Sequence, residues 1–309
     1  MPSSHPPQFT YSSAMSCEIG ITRRDPSPVI WVEGLYYVYY SRSTADYTGY
    51  NASLYYATSL DGFAWTERGE ILPKGGPGAF DEHAVFTPTT LIAGGKYYLI
   101  YDAVPEPFTN DNGGPNCTPT AMGIAVADHP AGPFRRSDQN PILKPSPGQA
   151  DRFDSLRVDD SCVVVRDGKY WLYYKGRPIG GTPRQTRMGL AIAEHPEGPY
   201  RKVAGDDPAL HGALVDGGHE VCCWPHGSGV AALFCNVGPG GNTLQYSADG
   251  IHFQVVCRAC PPCAPGPFRA DHYQNNRGPG ITWGLCIADA GGPWPYLKRF
   301  DCNLGTDQV

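Results

Sequence analysis

The chain has 309 residues, 41% hydrophobic and 17% charged, with a formal charge of −6 and an isoelectric point near 5.8. It can bury a large core, and it has no basic field for nucleic acid or an anionic membrane surface. No apolar run approaches the ~20 residues that span a bilayer, so small or neutral partners are expected, with no nucleic acid and no membrane.

Residues 1–21 read as an N-terminal segment. Its opening "MPSSHPPQFTYSSAMS" has neither the basic nor the apolar region of a signal peptide. A cytoplasmic location fits, as does a periplasmic or secreted one after an export signal is removed. From residue 22 onward, strands dominate. In "PVIWVEGLYYVYYS", β-branched and aromatic residues flank a Glu33-Gly34 turn, the pattern of a tight hairpin. The same plan returns in "TTLIAGGKYYLIYDA", "CVVVRDGKYWLYYKG" and "CCWPHGSGVAALFCN". A second piece, an apolar strand followed by a Gly-containing turn and an aromatic, occurs five times: "LYYATSLDGFAW", "MGIAVADHPAGPF", "MGLAIAEHPEGPY", "TLQYSADGIHF" and "WGLCIADAGGPW". An all-strand repeat of about 60 residues suits a propeller blade of four antiparallel strands. The predicted fold is therefore all-β, a five-bladed β-propeller occupying residues 22–309 as one domain. The fifth copy has no clear leading hairpin; its inner strands come either from the stretch around "FRADHYQNNRGPG" or from the N-terminal segment.

Eleven cysteines cannot all pair within one molecule. "CRACPPC" sets Cys257, Cys260 and Cys263 at metal-ligand spacing, but zinc wants a fourth thiolate or imidazole and no second CxxC exists. A proline-rich loop with free or disulfide-bonded thiols is the simpler reading. Adjacent Cys222 and Cys223 read as strand packing. Asn51 and Asn116 match the glycosylation acceptor pattern.

In a propeller the innermost strands run beside the central channel, so the residues opening them converge. Counting back ten or eleven residues from the aromatic or aliphatic residue of each hairpin's second strand finds that slot: Asp25 from Tyr36, Phe86 or Thr87 from Tyr97, Asp159 or Asp160 from Tyr170, and His219 or Glu220 from Val230. Titratable groups brought together from separate blades suit acid and base catalysis. Two carboxyl groups on opposite faces of a sugar act as acid and base at about 6.5–9.5 Å, or as acid and nucleophile at about 5–5.5 Å. Neighbours on a regular strand point to opposite sides, so one of His219 and Glu220 is expected to meet substrate while the other orients it.

The blocks "RRDPSPVIWVEGLYYVYYS", "FDEHAVFTPTTLIAGGKYYLIYDA", "FDSLRVDDSCVVVRDGKYWLYYKG" and "GGHEVCCWP" resemble, in their order, the signature blocks of glycoside hydrolase family 117 over about residues 22–290. The resemblance implies a five-bladed propeller of agar degradation that needs no cofactor for its chemistry. Its substrate would be a neoagaro-oligosaccharide, losing 3,6-anhydro-L-galactose from the non-reducing end as an α-1,3 bond is cleaved with inversion. It also implies roles: Asp25 as general base, Asp160 as the carboxylate that stabilises the transition state or tunes a neighbour, and His219 as general acid beside Glu220. A nearby carboxylate would raise the imidazole pKa for that task. A divalent cation near the propeller axis is a further family property.

Around the sugar we expect Arg24, Asp81, Glu82, His83, Thr87, Asp159 and Trp224; Arg24 can pair with hydroxyls and Trp224 can pack on a sugar face. The chain departs from the family pattern where Asp159 replaces a His, Ser161 a Pro and Leu156 another His, and where "STADYTGYNAS" replaces a Trp-containing segment. These departures keep two alternatives open: a propeller glycosidase for another sugar such as galactose or arabinose, and a carbohydrate-binding propeller without catalysis. Few residues precede Arg23, whereas the family exchanges a longer extension between subunits, so a monomer or a differently built dimer is expected.

Overall fold

The computed structural model describes residues 6–44, 51–107, 118–146, 148–235, 237–258, 260, 265–270, 278–288 and 293–305. Asn116 and Cys263 lie outside this set, as do parts of the "STADYTGYNAS" and "FRADHYQNNRGPG" stretches.

The strands follow the repeat. After β1 (Phe9–Ser13), the first blade holds β2 (Thr22–Arg24), β3 (Ile30–Val32), β4 (Leu35–Ser43), β5 (Ser53–Ser59) and β6 (Thr66–Leu72). The second holds β7 (Ala84–Ala93), β8 (Lys96–Val104), β9 (Ala121–Ala127) and β10 (Arg135–Arg136). The third holds β11 (Arg157–Arg166), β12 (Lys169–Arg177), β13 (Arg187–Ala193) and β14 (Arg201–Val203), with β15 (Val215–Asp216) added beside β13. The fourth holds β16 (Glu220–Gly227), β17 (Gly229–Cys235), β18 (Thr243–Ser247) and β19 (Gln254–Arg258). The fifth holds β20 (Pro265–Pro267), β21 (Gly278–Ala288) and β22 (Tyr296–Gly305). Each blade is an antiparallel meander. The predicted Glu33-Gly34 turn has φ of +49° and +85°, and Asp167-Gly168 repeats it with +50° and +72°; left-handed pairs of this kind match the twist of the flanking strands.

The fifth blade draws on both candidate sources. Its inner strand is β20, just ahead of "FRADH", and its outer strand is β1 from the N-terminal segment, paired with β22 from Phe9↔Cys302 to Ser13↔Lys298. The seam to the first blade is sewn by backbone bonds on both sides of Val29, which donates to Pro267 (2.9 Å) and accepts from Arg269 (2.9 Å). Apolar layers fill the spaces between blades. Cys222 and Trp224 enter the layer between blades four and five, and Cys223 the layer between three and four, as alternation on one strand requires. Cys257 and Cys260 are also buried in apolar surroundings.

The β1 edge is held by the Phe9 ring, 5.5 Å from that of Phe300. Phe9 is only partly buried, so Phe9→Ala should cost about 2 kcal/mol, less than the ~3–5 of a fully buried Phe. Urea unfolding measures it, and an unchanged midpoint would remove β1 from the stabilising framework.

Candidate active site

Three blades open their inner strands with the same distortion. In β7, Phe86 pairs with Asp102 and Thr89 with Ile100; in β11, Asp159 pairs with Lys175 and Cys162 with Tyr173. One extra residue sits between the paired positions in each case, a β-bulge. In the first blade the inner strand breaks altogether between β2 and β3. The residue at each distortion is left-handed: Asp25 at φ +52°, Thr87 at +45° and Asp160 at +48°. None is glycine, and for β-branched Thr87 the conformation is a genuine outlier. Such strain persists where the surroundings hold it and clusters at functional sites.

The surroundings here are side chains from the preceding blade. The Thr87 N–H donates to Ser41 Oγ (2.8 Å), whose hydroxyl donates to Asp25 Oδ2 (3.3 Å). The Asp160 N–H donates to Asp102 Oδ2 (2.9 Å). Ser41, Asp102 and Lys175 occupy equivalent positions, each five residues after the aromatic of its hairpin, and Lys175 acts electrostatically on Glu220 of the fourth blade. Each blade thus addresses the site residue of the next.

The result is an axial cavity of about 510 Å³ and an outer pocket of about 300 Å³. Asp25, Thr87, Asp160 and Glu220, one from each of four blades, line both. Arg24, Asp159 and His219 line the outer pocket with Phe86, Arg157 and Lys175. Both members of each ambiguous slot therefore reach the site.

Charge fixes the protonation states. Lys175 is almost wholly buried and pairs with Asp160 Oδ2 and with Asp159 Oδ1 (3.4 Å). Burial alone would lower its pKa, but Asp159, Asp160 and Glu220 outweigh burial and raise it. Arg24 Nε donates to Asp25 Oδ2 at 2.7 Å. Burial pushes the Asp160 carboxyl well up, with Glu220 and Asp159 adding to the rise against Lys175. Asp102 is likewise pushed up by burial and by Asp159 and Asp160. Burial also raises Glu220, with Asp25 adding to it and Lys175 and Arg24 opposing.

His219 runs against expectation. Its Nε2 lies 3.8 Å from Glu220 Oε1, yet its pKa is not raised. Burial, then Lys175, Arg177, Arg24 and Arg157, push it down to about 2, so the imidazole is neutral near pH 7. Its backbone N–H donates to Val237 O at 2.7 Å.

Four expected sugar contacts lie elsewhere. Trp224 is 1% exposed; it shares the Glu220 face of β16 but sits deeper, in the apolar layer. Asp81 is buried in the second blade, accepting from Arg136 Nε (2.7 Å) and the Tyr101 hydroxyl (3.0 Å). Glu82 is exposed and accepts from the Gly78 N–H (2.6 Å). His83 bonds through its backbone to Val104. All three precede β7 and so fall short of the bulge at Thr87. The divalent cation does not fit these residues either. Among the described residues no three His, Cys, Asp or Glu side chains converge as ligands, and the site carboxylates are engaged by Lys175 and Arg24.

The sequence signal for Ser41, Asp102 and Lys175 was present in "YYVYYS", "YYLIYD" and "YWLYYK". Arg157 and Arg177, each 1% exposed beside His219, carry no such mark.

No family model and no curated protein sequence matches the chain. Solved structures do. A family 117 glycoside hydrolase produced by the marine bacterium Zobellia galactanivorans is 29% identical, with a TM-score of 0.83, over 99% of this chain and 93% of that one. A GH43_1 enzyme from Xanthomonas citri complexed with xylose is 17% identical, with a TM-score of 0.54 over 91% and 87% of the two chains. Fructan 1-exohydrolase IIa from Cichorium intybus is 12% identical, with a TM-score of 0.59 over 94% and 57%. The last two share the fold.

Removing one partner from a buried charge pair typically costs about 3–5 kcal/mol. Lys175→Met should destabilise by that amount in denaturant unfolding, and a cost below about 1 kcal/mol would mean that the carboxylates do not depend on it.

Proposed function

We propose, from the premise that the chain is a glycoside hydrolase of the family 117 type, that it is an exo-acting, inverting enzyme. It removes a terminal α-1,3-linked 3,6-anhydro-L-galactose, or a closely related sugar, from neoagaro-type oligosaccharides. The observation that carries this reading is the convergence of Asp25, Asp160 and Glu220 from three blades on one pocket.

Asp25 is the base. Its carboxylate takes a proton from water as the water oxygen attacks the anomeric carbon and the glycosidic C–O bond breaks. Glu220 gives its proton to the departing oxygen, and solvent later restores both groups. We assign the proton donor to Glu220 in place of His219 because burial and the neighbouring Asp25 keep Glu220 protonated, whereas four cations keep the imidazole neutral. His219 then orients Glu220 and the sugar. Asp160, clamped by Lys175, holds the field in which Glu220 keeps its proton.

Two family departures bear on the choice of sugar. Asp159 lines the outer pocket and Ser161 the axial cavity, whereas Leu156 is buried. Polar groups new to the pocket favour a second reading, a related sugar such as galactose or arabinose. Mass analysis of products from agar-derived and other marine oligosaccharides separates the two.

General acid or base groups contribute typically about 10²–10⁴-fold. Asp25→Asn should lose at least that much kcat with an unchanged circular dichroism spectrum; substantial turnover would remove it as base.

Glu220→Gln should lose a similar factor on oligosaccharides but far less on a 4-nitrophenyl glycoside, whose leaving group needs no proton. A Glu220 pKa raised by folding means that the active, protonated form is lost as pH rises through that pKa. The alkaline limb of kcat/KM should therefore disappear in Glu220→Gln and persist in His219→Ala. The reverse pattern would return the acid role to His219.

A further inference from the structure

A second cavity, of about 580 Å³, lies on the same face of the propeller. Its wall includes Phe153 ahead of β11, Pro178 after β12, Arg187 at the start of β13 and Pro239 between β17 and β18. These are the ends of the strands at which Asp160 and Glu220 stand. None of its lining residues takes part in the chemistry described above.

Only backbone separates the two spaces. Gly217, Gly218 and His219 run against Val237 to Gly240, joined by the His219 N–H to Val237 O (2.7 Å) and the Gly240 N–H to Gly217 O (3.0 Å). A side chain would not fit between them. A Cβ on Gly218 would lie 2.4 Å from Cys235 O, and one on Gly238, at φ +139°, 2.5 Å from Gly217 O. The partition carries His219 on one side and Pro239 on the other. Arg187 braces it, with Nε donating to Oδ1 of Asp216 (3.0 Å), the residue just before Gly217.

The chemistry of the second cavity suits a neutral sugar. Asp151, Gln185, Arg187 and His211 present donors and acceptors to it. Arg187 is balanced by Asp216, which leaves no cationic excess for a sulfate or uronate. Ile179 and Val237, 53% and 39% exposed, stand beside Pro178 and Pro239, where the apolar face of a pyranose can rest. The outer pocket, at about 300 Å³, is at the small end of ligand sites, so the rest of an oligosaccharide must lie beyond it.

We infer that this second cavity is the subsite for the leaving-group portion of the substrate, holding neutral hexopyranose units on the far side of the glycine partition. The inference rests on the exo-glycosidase reading, and it explains how the enzyme would distinguish longer chains from a disaccharide.

The test is binding without turnover. Isothermal titration calorimetry with galactose-terminated agaro-oligosaccharides, which lack the residue to be cleaved, should show binding to the wild type. Arg187→Ala and Asp151→Ala should each weaken it at least tenfold, with melting temperatures checked in parallel, while Asp25→Asn should leave it within twofold. No binding to the wild type, or equal binding by both subsite variants, overturns the subsite. Turnover of neoagaro-oligosaccharides by the wild type is scored separately, so failure of the exo-glycosidase reading shows there and not in the calorimetry.

Discussion

Lys175 decides what the pocket can do. A buried ammonium among Asp159, Asp160 and Glu220 lets three acidic side chains share a space that would otherwise expel them. It also sets their division of labour. The same positive charge that anchors Asp160 works with Arg24, Arg157 and Arg177 to strip the proton from His219, leaving Glu220 as the group with a proton to give. Groups whose surroundings drive their protonation apart are the ones suited to acid and base roles.

The backbone contributes the aim. A regular strand would turn alternate side chains away from the axis, and the left-handed residues at 25, 87 and 160 interrupt that alternation. The distortions last because Ser41 and Asp102 satisfy the amides at Thr87 and Asp160. Since each support comes from the neighbouring blade, the site is a property of the closed ring, and no blade carries it alone.

Much of this was legible in the sequence. The hairpins and the five returning motifs gave away a propeller because blade geometry repeats locally. Asp25 and the pairs 86/87, 159/160 and 219/220 were found by spacing alone, because one strand places them. Trp224 and Asp81 were misread for a shared reason: their surroundings come from distant segments. Trp224 meets the fifth blade, and Asp81 meets Arg136. The state of His219 was hidden for the same reason, since the charges that govern it arrive from β2, β11 and β12.

The strand Phe9–Ser13 has a consequence for how the molecule is made. Its partner, β22, is the last strand of the chain, so during synthesis the first strand to emerge waits, unpaired, for the last. Loop-closure entropy grows only with the logarithm of length, so the latch costs little at equilibrium. The cost is kinetic. Until the final blade is released, an open sheet edge is exposed to other chains, and assembly of the ring is tied to completion of translation.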